Sequence, residues 1–167
     1  MTVTSSGTGL VTLPTDTQIL VTREFAAPKH LVYKAYTTPE LIKRWWHARR
    51  GEATVADVDL RVGGKWRWVM VADAGFEVAF HGEYRELIPN ERIVYTEVFE
   101  GAPVPDGGIE ESTLNTVTFT EKDGRTTLTI LTEAHSRELR DMIINTGMEE
   151  GLKDALDLLE EVAISLN

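Results

Sequence analysis

The chain contains no cysteine. That excludes disulfides, thiol nucleophiles and cysteine-ligated zinc, and it agrees with a reducing, cytoplasmic setting. Positive charge is scarce as well: 17 Lys and Arg stand against 27 Asp and Glu, a formal net charge of -10 at pH 7. Nucleic acid is therefore excluded as a partner, because its phosphates need clustered cations, and an anionic membrane surface offers no gain. No apolar run approaches the roughly 20 residues of a membrane span. The first 16 residues are rich in Thr, Ser and Gly and carry neither Lys nor Arg. They do not read as a signal peptide and are expected to be a flexible lead, with a single domain over 17–167. Catalytic signatures are missing too: there is no Gly-x-Ser-x-Gly elbow, His-Glu-x-x-His pair, P-loop or dinucleotide glycine fingerprint. The sequence thus assigns no catalytic residue, no metal ligand and no cofactor.

What is present is a concentration of indoles. All four tryptophans fall at positions 45, 46, 66 and 68. Trp45-Trp46 ends a short helical pattern, and Gly63-Gly64 opens a strand that carries Trp66, Trp68 and Met70 on one face by period-two spacing. Around this stretch the pattern reads as a strand over 18–25, then two tandem helices, one beginning at Pro28 (Leu31, Val32, Ala35 and Tyr36 forming its stripe) and one capped by Thr38-Pro39. Strand signals follow over 52–60, 64–71, 77–87, 92–100, 113–121 and 125–133, the last two joined at Asp123-Gly124. Residues 101–108, rich in Gly and Pro, read as a long loop. From Ser136 onward the pattern is helical. Its apolar stripe changes side, from Leu139, Met142 and Ile143 to Leu152, Ala155, Leu156 and Leu159, so either one helix kinks or breaks near Gly147 or the first half is a separate helix. The fold class is α+β: a curved seven-stranded antiparallel sheet gripping a long C-terminal helix, with a cavity expected between them.

Several segments carry a family likeness. Arg23-Glu24-Phe25-Ala26-Ala27-Pro28, Trp45-Trp46, Asp59-Leu60-Arg61-Val62-Gly63-Gly64, the stretch Gly82 to Val94, and Gly147-Met148-Glu149-Glu150-Gly151-Leu152 occur in the family's order. The chain resembles, over about residues 17 to 165, the activator-of-Hsp-90-ATPase-like branch of the SRPBCC, or START-like, superfamily. The resemblance implies the helix-grip fold of the birch-pollen allergen. It departs where many members have Gly-Pro and this chain has His47-Ala48, and where Leu152 replaces a frequent Trp. The eukaryotic co-chaperone stimulates the ATPase with a separate N-terminal domain absent from this sequence, so that activity is not carried over.

Three functions stay open. The first is non-enzymatic binding of an apolar small molecule, lipid-like or aromatic, by Trp45, Trp66, Trp68, Met70, Tyr84, Tyr95, Glu97, Phe99, Met142, Ile143 and Leu152. The second is a co-chaperone-like domain with a chaperone or other protein partner and a stress-response role. The third is a cyclase- or hydratase-type enzyme. Glu97 is the pivotal residue. In phase with Ile93, Tyr95 and Phe99 it would sit in an apolar hollow with a raised pKa; if Val94, Thr96 and Val98 face inward instead, it is solvated. Arg61 reads as a structural partner of Asp59, His81 as an outer-face residue, and the acidic run from Glu149 to Glu161 as a solvated helix face.

Overall fold

The strand Gln18–Phe25 alternates as expected: Ile19, Val21 and Phe25 are buried, and so is Arg23 in the same phase. An arginine in an inward position of a core strand needs a built partner, and that partner organises the molecule. The computed structural model describes residues 2–3, 10–100, 113–145 and 148–166. In chain order its elements are β1 (Thr2–Val3), β2 (Leu10–Thr12), β3 (Gln18–Phe25), α1 (Lys29–Thr37), α2 (Pro39–Trp45), β4 (Gly51–Val58), β5 (Lys65–Ala72), β6 (Glu77–Ile88), β7 (Arg92–Glu100), β8 (Thr113–Lys122), β9 (Arg125–Glu133), α3 (Arg137–Asn145) and α4 (Met148–Ser165).

All seven expected strands are present, and they form one antiparallel sheet in the order β3-β9-β8-β7-β6-β5-β4, extended at the β3 edge by β2 and β1. The two short additional strands lie within the lead segment: Leu10–Thr12 pairs with Leu20–Thr22. The meander from β4 to β9 returns to β3, so the two helices between β3 and β4 connect strands far apart in the sheet. Register shifts at Ala53/Val55 and Tyr84/Glu86 bend it. The turn before β5 uses both of its glycines. Gly63 has φ +83, and a Cβ on Gly64 would run into the Asp59 carbonyl. Arg61 bonds Asp59 there at 2.9 Å, as expected, with both side chains exposed.

The helices cover the concave face. Thr38 ends α1 and starts α2, with Pro39 in the first turn, but its hydroxyl makes no cap. Its backbone does the joining: the N–H donates to the Lys34 carbonyl, and its carbonyl accepts from Leu41 and Ile42. The N-terminus of α1 has no acidic residue of its own, and the Glu121 carboxylate accepts from the Lys29 N–H at 2.8 Å instead. The C-terminal region holds two helices, α3 and α4, with apolar positions of α4 (Ala155, Leu156, Leu159, Val162, Ala163) buried. The expected break at Gly147 falls outside the described residues. In α3 the buried residue is Arg140, which donates to the Thr15 carbonyl, while Met142 faces outward.

The acidic face of α4 is not merely solvated, and this corrects the sequence expectation. Arg23, 3% exposed, donates to Asp157 at 2.6 Å and Glu160 at 2.9 Å, and its guanidinium lies 5.2 Å from the Phe25 ring centre. Glu160 also accepts from the Ala26 N–H. Beyond the far edge strand, Arg50 pairs with Asp154 and Arg49 with Glu161. The helix is therefore tied to β3 on one side and to the segment that enters β4 on the other. Replacing Arg23 by Met leaves part-buried Glu160 without its cation and Asp157 with Lys153 alone, and is expected to cost about 3 kcal/mol in urea unfolding. Arg23→Lys, a single point charge that cannot fork across both acids, should recover only part of that loss. Unchanged stability in R23M would overturn the clamp.

Candidate functional site

Strand β5 alternates cleanly at its start. Lys65 and Arg67 are exposed, whereas Trp66 and Trp68 are buried against the helices. Helix α1 brings Tyr36 and the end of α2 brings Trp45 and Trp46 onto these rings. Trp68 meets Trp45 at 5.9 Å, Trp46 at 5.6 Å and Tyr36 at 6.4 Å, all edge to face. Trp66 meets Tyr95 at 5.5 Å with perpendicular planes. Such pairs add about 0.5–1.5 kcal/mol each beyond burial. Tyr84 is fixed by its strand, its backbone N–H and C=O bonding Gly64 and Gly63. Gly82 lets Trp66 lie flat on the sheet: a Cβ there would collide with the Thr96 carbonyl and crowd the Trp66 indole nitrogen.

Within this cluster lies a cavity lined by Tyr36, Trp66, Trp68, Tyr84, Ile93 and Tyr95. Its free volume is about 10 Å³, room for a single water. The side chains around it are poorly satisfied. The indole N–H groups of Trp66 and Trp68 are buried without a partner among the described residues. Burial raises all three phenols, Tyr36 to about 12, and the Tyr36 and Tyr95 hydroxyls touch at 3.5 Å.

A polar row continues along the same concave face. Glu97 on β7 stands opposite Thr113 on β8, and Asn115 on β8 lies between Tyr95 and Thr132. Asn115 is 3% exposed and spends its amide locally, donating to Thr113 at 3.0 Å and accepting from Thr132 at 2.6 Å. Glu97 takes the inward phase: its charge bears on the phenols of Tyr36 and Tyr95. It keeps some solvent contact, yet the surrounding protein desolvates the carboxyl enough to push it up to about 7. Val94, Thr96 and Val98 take the other face.

Of the residues expected to bind, Trp66, Trp68, Tyr84 and Tyr95 line the cavity together, and Glu97 lies outside that lining, next in phase after Tyr95 on β7. Trp45 stands behind them, 2% exposed, with its indole donating to the Ala35 carbonyl at 2.9 Å. Met70 is half-buried further along β5. Phe99, 42% exposed, stacks on Phe80 rather than on the indoles, and Phe80 in turn meets Trp46. Ile143 and Leu152 pack on the core from α3 and α4, and Met142 is 46% exposed; none of these lines the cavity. Sequence reasoning missed Tyr36, Ile93 and Asn115. The first was legible as part of the α1 stripe, and Asn115 as a polar residue in phase with buried Val117 and Phe119. His81 lies on the outer face beside Arg67, both bonded to Glu100. Among the described residues no group of His, Asp and Glu could hold a metal ion, and no helix is long and apolar enough to cross a membrane.

A curved antiparallel sheet closed by helices around an aromatic interior defines a helix-grip domain. The chain belongs to the family of Activator of Hsp90 ATPase homolog 1-like proteins, whose profile matches residues 26–163. It is similar to protein CV1439 of Chromobacterium violaceum at 29% identity, covering 89% of this chain and 98% of that one with a TM-score of 0.72. It is also similar to protein Ms6760 of Mycobacterium smegmatis at 27% identity, covering 92% and 94% with a TM-score of 0.80. A Rhodobacter sphaeroides protein shares the fold at 22% identity, over 95% and 99%, with a TM-score of 0.84. No curated protein matches the chain. Family membership supports a ligand- or protein-binding domain.

Glu97 has a consequence for stability. Its folded pKa, about 7, lies above the ordinary 4.5, so the folded protein holds a proton that the unfolded chain has already lost between these values. Stability contributed by the protonated carboxyl is therefore complete below about pH 4.5 and drains away as pH rises through 7. Glu97→Gln should unfold like the wild type at pH 4.5 but be more stable at pH 8, by on the order of 2 kcal/mol given the residual solvation. Parallel pH–stability curves for the two proteins would contradict the inward carboxyl.

Proposed function

We propose that this domain binds an apolar, ring-bearing small molecule in the hollow between sheet and helices and releases it unchanged. The observation that carries this reading is the aromatic cavity with two buried indole donors lacking partners among the described residues. Buried donors without acceptors cost about 1–3 kcal/mol each, and native proteins keep few of them outside functional sites. The cavity has room for one water, so a guest must part the rings. The ring contacts to be given up are worth about 1 kcal/mol apiece. A guest ring that buries on the order of 150 Å² gains roughly 4 kcal/mol. Half-buried Trp46 and Phe80, with exposed Phe99, form the side of the cluster that is least enclosed.

The small volume itself favours a second reading. If the rings never part, the ridge of Trp46, Phe80 and Phe99, with Phe76 58% exposed at the β5–β6 turn, presents apolar surface to a protein partner. That is the co-chaperone-like alternative, and a stress-response role belongs to it. An enzyme of the cyclase or hydratase kind would need a roomy pocket beside Glu97, and the cavity is not one.

All four indoles sit in or beside the cluster, so intrinsic fluorescence reports on it. Titration with small aromatic and lipid-like compounds should give a saturable change that is lost in Trp68→Ala, with Trp68→Phe as the variant that preserves the packing and confirms a folded protein. Silence across such a panel would remove the small-molecule reading and leave the protein-binding one.

A further inference from the structure

Ring binding leaves one group in the hollow without a role. The Glu97 carboxyl projects from β7 in phase with Tyr95, opposite Thr113, and within electrostatic reach of the Tyr36 and Tyr95 phenols. Among the described residues, what faces it is neutral at pH 7: the two phenols, Thr113 and Asn115 from β8, and Gly82 and Tyr84 from β6. No Lys, Arg or His among the described residues pairs with it. The cations of neighbouring strands lie elsewhere and are engaged: Arg67 with Glu100, Arg85 with Glu83, Arg92 with Glu86. Those of the C-terminal helices are engaged as well, Arg137 and Arg140 with Asp141, and Lys153 with Asp157. A carboxyl set among rings without a cation favours its neutral form, and its charged form is costly there unless a cation arrives from outside.

We propose that the hollow selects a ring-bearing amine, its ammonium set against the Glu97 carboxylate and against the ring faces of Tyr36 and Tyr95. This rests on the hollow being a binding site. An ammonium carries three donors and no acceptor. The phenol oxygens of Tyr36 and Tyr95 at the cavity, and beyond them the Glu97 oxygens with the Thr113 hydroxyl opposite on β8, are acceptors, and cation–π attraction adds to them where water is excluded. An anionic guest meets repulsion from the same carboxylate, and a neutral ring removes water from it without replacing the lost interactions. The molecule's net charge of -10 favours cations in the surrounding field as well. Because burial holds Glu97 near 7, an ammonium that binds the charged form draws a proton off the site. Affinity for the amine therefore rises as pH goes from about 5.5 to about 8, whereas affinity for a neutral ring, which desolvates the charged form, falls over the same range.

The test compares benzylamine with benzyl alcohol, followed through the tryptophan indole N–H resonances by NMR. At pH 8 the amine should bind about tenfold more tightly than the alcohol, the range expected for a hydrogen bond to a charged group. That preference should disappear in Glu97→Gln, which keeps the shape and removes the charge, and in the wild type at low pH. Equal binding of the two compounds, or an amine preference that survives E97Q, overturns the amine proposal while leaving the hollow as a site for rings. No resonance shift with either compound overturns both.

Discussion

The guanidinium of Arg23 is the constraint on which the arrangement of sheet and helix depends. It occupies an inward position of β3 where Ile19, Val21 and Phe25 supply apolar side chains. A charge there costs several kcal/mol in lost hydration, and only partners held close by the fold offset that cost. Asp157 and Glu160 provide them because they are three apart on α4 and so share one face. The pair fixes the rotation and the axial position of α4 together, since a helix turned or slid by one residue would present neither carboxylate. The opposite edge is held differently. Arg49 and Arg50 reach Glu161 and Asp154 through half-exposed contacts, and such pairs contribute little. The buried apolar positions of the helix run from Ala155 to Ala163, whereas Leu152 nearer its N-terminus is only partly buried.

Beside the aliphatic core of Ile19, Val32, Leu128 and Leu159, one region of the interior is filled by aromatic contacts. Edge-to-face rings leave small gaps where three planes meet, and the cavity bounded by Tyr36, Trp68 and Tyr95 is one of these. Aliphatic side chains could have closed it without stranding two indole N–H groups. Local faults of this sort tend to collect at functional sites, where a rule of good packing gives way to a binding need. The same strand that carries the faults is well anchored. The Gly63-Gly64 turn bonds Tyr84 on one side, and Gly82 seats Trp66 on the other. The framework is rigid while the ring contacts across it are exchangeable, a combination suited to a guest.

Much of this was legible in the sequence because it is written in local pattern. The period-two runs placed seven strands, three of them to the residue at both ends (Gln18–Phe25, Arg92–Glu100, Arg125–Glu133), and the glycine pair announced its turn. The grouping of Trp66, Trp68, Tyr84 and Tyr95 followed from phase along neighbouring strands. What resisted reading was long-range or ambiguous in phase. Arg23 and Glu160 are 137 residues apart, and nothing local distinguishes an acidic face that receives arginines from one that receives water. On β7 both alternating sets are apolar enough to be buried, and indeed all residues from Val94 to Val98 are half-buried, so the direction of Glu97 depended on α1 packing over one face. Met142 and Phe99 fit an apolar stripe by spacing, but a stripe says which side a residue takes and not how far the neighbouring element extends to cover it.

The position of Glu97 ties stability to binding through a single proton. In an empty hollow the cheapest state of that carboxyl is neutral, and burial moves its titration to about 7 to make that state accessible. A fully buried glutamate, raised several units further, would be neutral at every physiological pH and useless to a cation; a solvated one would be charged always and would cost nothing, but would also gain little from a partner in water. Partial exposure at the edge of the aromatic cluster places the group between these limits. The protein then loses only a modest part of its stability while the site is empty, and it keeps a charge available that becomes strong only when a guest excludes the remaining water. For a carboxyl in this setting, the cost to the fold and the value to a ligand have the same physical origin, the low polarity of the rings that surround it.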